Sequence, residues 1–184
     1  MRAIIDTSSL LALVRYYRPF DKSNKLHSVL EGLYDSGELI ILDKVAIESK
    51  YNAKGIILKE LKFITEKPKL IVKTDTLLPN SKFFNRLENE FCNKNIRTSK
   101  DINDAEFENQ KEAYLDNADA KIILYALSIA ANSPIVVTEE TGVENDGKLF
   151  KKIPSICSLI GTECCTIPEL LKEHCGLKLS DLLY

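Results

Sequence analysis

The chain has 184 residues, 45% of them hydrophobic and 28% charged, which fits one folded domain of ordinary composition and excludes a disordered chain or a fibre. Lys and Arg number 25 against 27 Asp and Glu, a formal charge of −2. A strongly basic nucleic-acid coat is therefore absent, although a nucleic-acid partner stays open because charge can be segregated on one face.

The first residues, 2–5, read as a short strand, followed by the polar turn Asp6-Thr7-Ser8-Ser9 and a helix carrying Leu10, Leu11, Leu13 and Val14 to about Tyr17. Pro19 breaks it. A second helix is expected over 23–35, where Leu26, Val29, Leu30 and Leu33 recur at i, i+3, i+4 and i+7. Residues 38–42 form the next strand, and Asp43 is placed to cap a helix starting near Lys44 and carrying Glu48. The middle reads as helix over 56–65, a candidate strand at 70–72, helix over 79–93, a polar loop over 94–104 and helix over 106–114. The last third is a strong Ala/Leu/Ile-rich helix over 118–131, a buried strand at 135–137, and a polar loop over 139–152. A short helix near 155–160, a strand at 163–166 and a last helix at 168–173 follow.

Short all-apolar strands separated by helices predict an α/β fold, a three-layer α/β/α sandwich with a central, mostly parallel sheet. The longest apolar stretch, 122–131, is about half a membrane span and carries a serine, so no transmembrane helix is expected. Asp6 interrupts the first apolar run, so no signal peptide is read there. Five cysteines at irregular spacing, with no C-x-x-C and no histidine pair beside them, read as reduced thiols of a cytoplasmic protein rather than a zinc site.

In open parallel sheets the ligand site lies at the carboxyl ends of the strands. Asp6 ends the first strand, Glu48 lies about one turn into the helix after the second, Glu139 and Glu140 follow the 135–137 strand, and Asp119 opens the helix that feeds that strand. Four separate segments thus bring acids to one rim, where they repel unless something positive sits among them. Mg²⁺ or Mn²⁺, which prefer carboxylate and water oxygens, fit that need. Each acid also has a plainer reading. Asp6 can cap a helix, Asp116 and Asp119 can form a cap-like pair, and Glu48, Glu139 and Glu140 can be solvated charges. The shared topological address is what no single residue supplies.

These segments resemble the PIN domain. Ile4-Ile5-Asp6-Thr7-Ser8 is similar to its opening strand, signature aspartate and small hydroxyl residue; Asp119-Ala120-Lys121-Ile122-Ile123-Leu124-Tyr125-Ala126 is similar to its second anchor; Val136-Val137-Thr138-Glu139-Glu140 is similar to the strand that follows. Lys152-Ile153-Pro154-Ser155-Ile156-Cys157 resembles an uncharacterised PIN-like subgroup, the domain-of-unknown-function 4411 type. The resemblance implies a single PIN-like domain over 1–184, with a helical, insertion-like middle at about 55–114. It also implies a metal-dependent ribonuclease, similar to the VapC toxins of toxin–antitoxin pairs, leaving a 5′-phosphate and a 3′-hydroxyl. Asp6, Glu48 and Asp119 are then the principal ligands of Mg²⁺ or Mn²⁺ and Glu140 the fourth acid, with Glu139 the rival for that place. Thr7, Ser8 and Thr138 are supporting residues, and Arg15, Arg18, Lys44, Lys50 and Lys54 are candidates to hold RNA phosphates. RNA, an antitoxin protein and a second copy of the chain are the implied partners, and no membrane is. The main rival is a catalytically inactive PIN-like binding or scaffold module. A phosphatase of the haloacid dehalogenase type is disfavoured because Ser8 stands where its second aspartate would be, and a Rossmann nucleotide binder because no glycine-rich turn follows the first strand.

Overall fold

The computed structural model describes residues 1–142, 147–178 and 180–183. Four short strands, β1 (Ala3–Ile5), β2 (Leu39–Ile40), β3 (Ile135–Val137) and β4 (Glu163–Cys165), form one sheet in the order β2-β1-β3-β4, every neighbouring pair parallel. Helices flank the sheet, giving the expected three-layer α/β/α architecture. All residues of β1 and β3 are buried, which is why they read as unbroken apolar runs rather than alternating ones. Each of these Ile and Val side chains contributes roughly 1.5–3 kcal/mol by leaving water.

The chain runs from β1 into α1 (Thr7–Ala12), which widens to a π-turn over Leu13–Tyr17, then α2 (Lys25–Asp35) and, after β2, α3 (Asp43–Tyr51). The middle carries α4 (Ile56–Glu60), α5 (Phe63–Glu66), α6 (Ser81–Arg86), α7 (Lys94–Ser99) and α8 (Asp104–Asp116). Then come α9 (Ala118–Ser128), β3, α10 (Ile153–Ile160), β4, α11 (Ile167–Glu169) and α12 (Ser180–Leu183). In α9 Ala118, Ala120, Ile122, Ile123, Leu124 and Ala126 are all buried, as befits a helix apolar on nearly every side. It packs on β3, α3, α8 and α10. The buried side chains of the sheet and helices join in one hydrophobic cluster. All five cysteines are unpaired; Cys92, Cys157 and Cys165 are buried, Cys164 and Cys175 half-buried. Among the described residues no helix is long and apolar enough to cross a membrane.

The middle corrects several expectations. The 94–104 segment is not all loop: α7 forms there because Arg97 lies 4.1 Å over the Phe107 ring and pairs with Asp104 at 2.5 Å, anchoring that composition does not show. The 56–65 helix is two helices, α4 and α5, separated where Leu61 leaves helical geometry at φ −105, ψ 66 and buries its side chain. The strand at 70–72 shrinks to one bridge, Val72 with Leu42. Lys67, held at φ −120 before Pro68, leads into a single 3-10 turn over Pro68–Leu70 instead. Leu42, not Asp43, is the N-cap of α3; the Asp43 carboxylate instead accepts from the Thr74 hydroxyl at 2.6 Å and the Lys44 N–H at 2.9 Å. Asn117, not an Asp116–Asp119 pair, caps α9, accepting from the Ala120 N–H at 3.0 Å. Residues 143–146 of the expected 139–152 loop lie outside the described residues.

Candidate active site

The sheet register builds the site. Ile5 pairs with Val137 and Val137 with Cys165, so β1, β3 and β4 end level with one another. The Asp6 N–H donates to Val137 O at 2.9 Å, and the Thr138 N–H to Cys165 O at 3.0 Å. The chain leaves β1 towards β2 on one side and returns to β3 on the other. The crevice between β1 and β3 is therefore the switch point where open α/β sheets place ligands.

Asp6 is buried and extended (φ −86, ψ 159), and it is the N-cap of α1. Its Oδ1 accepts from the Thr7 N–H at 2.6 Å; its Oδ2 accepts the Ser8 hydroxyl at 2.6 Å, the Thr138 hydroxyl at 3.1 Å and the Ser8 N–H at 3.4 Å. The capping reading is thus realised, and among the described residues Oδ1 takes one donor, the Thr7 N–H. The Thr7 hydroxyl, buried at the first position of α1, donates to Glu48 Oε2 at 2.7 Å and ties α3 to the Asp6 turn. Thr138 does the same across the crevice. Its hydroxyl donates to Asp6 and accepts the Glu140 N–H at 3.1 Å, while Ser8 Oγ accepts the Glu139 N–H at 3.1 Å.

The two glutamates after β3 diverge. Glu139 Oε1 accepts the Ile167 N–H at 2.7 Å, so its carboxylate holds the start of α11. Glu140 Oε2 accepts the Ile153 N–H at 3.2 Å at the start of α10, and its Oε1 lies 3.9 Å from Lys148. Glu140 is the one whose charge reaches Asp119. Asp119 stands in the first turn of α9, partly buried, and among the described residues no donor hydrogen-bonds to either of its oxygens. Burial first, then the charges of Asp6, Glu140 and Glu48, push its carboxyl up to about 7, against a smaller opposing pull from Lys148. Asp6, Glu48 and Glu140 are therefore all within electrostatic reach of Asp119. Tyr114, buried one turn before Asp119, is a neighbour the sequence did not announce. Among the described residues its hydroxyl has no hydrogen-bond partner, and burial followed by the charges of Asp119 and Glu140 holds it protonated.

The donor set, four carboxylates with unshared lone pairs on Asp6, Glu48 and Asp119, has the chemistry of a hard divalent cation's ligands. Among the described residues, however, no three His, Cys, Asp or Glu side chains stand together as a group able to hold a metal ion. The acids are grouped, not drawn into a cage. The candidate phosphate residues separate. Arg15, Lys50 and Lys54 are exposed, whereas Arg18 is engaged by Asp21 at 3.0 Å and Lys44 by Asp116 at 2.5 Å. Lys148 and Tyr114 were missed because neither lies in a motif; only the folded position of the segment after Glu140, and of the turn before α9, brings them to the acids.

The model of the family DUF4411, a domain of unknown function, matches residues 4–176. The chain belongs to the DUF4411 family. All four acids, the hydroxyls of Thr7, Ser8 and Thr138, and Lys148 fall inside the DUF4411 match. No curated protein and no solved structure matches the chain.

Proposed function

We propose that this chain is a PIN-like, metal-dependent endoribonuclease that hydrolyses RNA phosphodiester bonds, acting as the toxin of a toxin–antitoxin pair. The observation that supports the nuclease reading is that Asp6, Glu48 and Glu140, from three distant segments, all act electrostatically on Asp119 near the switch point of a parallel sheet. Buried and half-buried like charges at that address are costly to the fold and call for a cation.

Asp6, Glu48, Asp119 and Glu140 would hold Mg²⁺ or Mn²⁺, which when bound supplies an acidified water and charge neutralisation at phosphorus. The chain's own residues do the positioning. Thr7 fixes Glu48 relative to Asp6, Ser8 and Thr138 fix the Asp6 carboxylate, and the Thr138 hydroxyl sets the Glu140 backbone. Asp119, the acid without a donor, is the group most responsive to an added positive charge. Its carboxyl is raised to about 7 in the metal-free chain by burial and by its acidic neighbours, and a bound cation would favour its ionised form.

The test is cleavage of a structured RNA mixture with Mn²⁺, with Mg²⁺ and with EDTA, using the wild type beside Asp6→Asn and Asp119→Asn. Metal-dependent cleavage leaving 5′-phosphates, abolished by both substitutions, is the expected result. A folded wild type that cuts nothing under either metal would move the chain to the inactive scaffold reading.

A further inference from the structure

Tyr114 stands beside the acids without being one of them. It lies in the last turn of α8, and the Asn117 N–H donates to its carbonyl at 3.1 Å, so the chain turns directly from Tyr114 into the helix that carries Asp119. Its ring is stacked on Phe150, with centroids 4.4 Å apart and planes at 25°. Only 7% of the residue is exposed. A ring gripped on its face delivers its hydroxyl to one place, and a buried tyrosine hydroxyl usually finds a partner there. Among the described residues this one has none. Most buried polar atoms are paired, so an orphan donor costs the fold and calls for a reason.

The groups that act on the hydroxyl are Asp119 first, then Glu140 and the Cys157 thiol. Glu140 already accepts the Ile153 N–H and lies 3.9 Å from Lys148. Cys157 is a buried thiol, a weak acceptor. Asp119 lines the same cavity as Tyr114 and, among the described residues, accepts from no donor. A buried donor without an acceptor and a carboxylate without a donor therefore stand beside one another. A cation among the acids would favour the ionised form of Asp119, and a hydrogen bond to an ionised oxygen is about twice as strong as one to a neutral group. We propose that Tyr114 is the positioning residue of Asp119: with a divalent cation held by the acids, its hydroxyl donates to the Asp119 carboxylate and fixes it as a ligand. This rests on the metal-dependent reading above and adds a residue to it. Metal-ligating carboxylates are commonly oriented by such an outer donor. The orphan hydroxyl is then a strain carried by the fold for the sake of the bound state. Removing it should have two effects of opposite sign, a metal-free protein no less stable and a weaker hold on the cation.

The experiment pairs thermal unfolding in EDTA with calorimetric titration by Mn²⁺. The proteins are the wild type, Tyr114→Phe, Asp119→Asn, the double variant Asp119→Asn/Tyr114→Phe, and Tyr16→Phe as a control on an exposed tyrosine. Phenylalanine keeps the stack on Phe150, so Tyr114→Phe should fold. In EDTA it should unfold at the wild-type temperature or about 2–4 °C above it, because an unpaired hydroxyl has left the interior. It should bind Mn²⁺ about tenfold more weakly than the wild type. On the Asp119→Asn background the same change should alter Mn²⁺ affinity by less than about twofold, because the hydroxyl acts through Asp119. Mn²⁺ should also perturb tyrosine absorbance in the wild type and in Tyr16→Phe but not in Tyr114→Phe, a signature that a packing role would not move. Wild-type Mn²⁺ affinity in Tyr114→Phe, or the full loss repeated on the Asp119→Asn background, overturns the proposal and leaves the cation site standing. A fall in the unfolding temperature of Tyr114→Phe in EDTA shows that the hydroxyl is already partnered and overturns it too. A wild type that takes up no Mn²⁺ removes the metal-dependent reading and the proposal with it.

Discussion

Asp119→Asn should stabilise the metal-free protein at neutral and alkaline pH. Its carboxyl is raised from the ordinary 3.8 to about 7, by burial first and then by Asp6, Glu140 and Glu48. The unfolded chain loses this proton near 4 and the folded chain near 7. Stability therefore falls as pH rises through that window, and the full penalty is present above 7. At about 1.4 kcal/mol per unit the ceiling is ~4 kcal/mol. The side chain is only partly buried, so water screens part of this and about 2 kcal/mol is expected, or roughly 4–8 °C in Tm for a chain of this size. Thermal unfolding in EDTA from pH 4.5 to 8.5 reads it directly. The wild type should lose Tm between pH 5 and 7.5 while Asp119→Asn stays level, and Mn²⁺ should restore Tm to the wild type far more than to the variant. Parallel pH profiles for the two proteins, with equal responses to Mn²⁺, would refute the reasoning that the acids repel one another.

Other substitutions probe the scaffold of the site. Thr138→Val keeps the shape but removes the hydroxyl that donates to Asp6 and accepts the Glu140 N–H; urea unfolding should show a loss of about 1–3 kcal/mol, and cleavage should fall at least tenfold. Thr7→Val frees Glu48 Oε2, so cleavage should fall with a stability loss of only about 1 kcal/mol. Burial alone would raise the Asp43 carboxyl, but hydrogen bonds from Thr74 and Lys44, with the charge of Lys73, hold it below the usual carboxylate range. Its stabilisation is present above pH 4 and lost as pH falls below that, so Asp43→Asn should destabilise the protein at pH 7 and cost little at pH 3 by urea unfolding. Gly55→Ala places a Cβ 3.1 Å from Lys50 O on a backbone at φ +73, where Ala53 and Lys54 are also left-handed; a loss of about 1–2 kcal/mol in the same assay is expected.

The ends of the chain were legible because their elements are fixed locally. β1 and β3 are unbroken apolar runs, and α9 is apolar on nearly all sides, so pattern alone locates them. Asp6, Glu48, Asp119, Glu139 and Glu140 could be placed towards one rim because a parallel sheet dictates which loop ends share an edge, and the preference for Glu140 came from the resemblance to the PIN domain. The choice between Glu139 and Glu140 was not legible, since two adjacent carboxylates differ only in which helix start each one meets, Ile167 or Ile153. The middle resisted for the same kind of reason. α7 depends on Arg97 stacking over Phe107, and Val72 joins the sheet edge at a single bridge to Leu42, contacts set by tertiary packing and not by local periodicity. Among the candidate phosphate residues, Arg18 and Lys44 find acidic partners in Asp21 and Asp116, which sequence neighbourhood could not foretell.

In the proposed nuclease, four acids from four segments act as one cation site. Calorimetric titration with Mn²⁺ tests that site most directly, using the wild type beside Asp6→Asn, Glu48→Gln, Asp119→Asn, Glu140→Gln and Glu139→Gln. Saturable binding to the wild type, weakened at least tenfold by each of the first four substitutions and kept by Glu139→Gln, is the predicted result. No heat of binding to the wild type, or binding that survives each of the four substitutions, would contradict it.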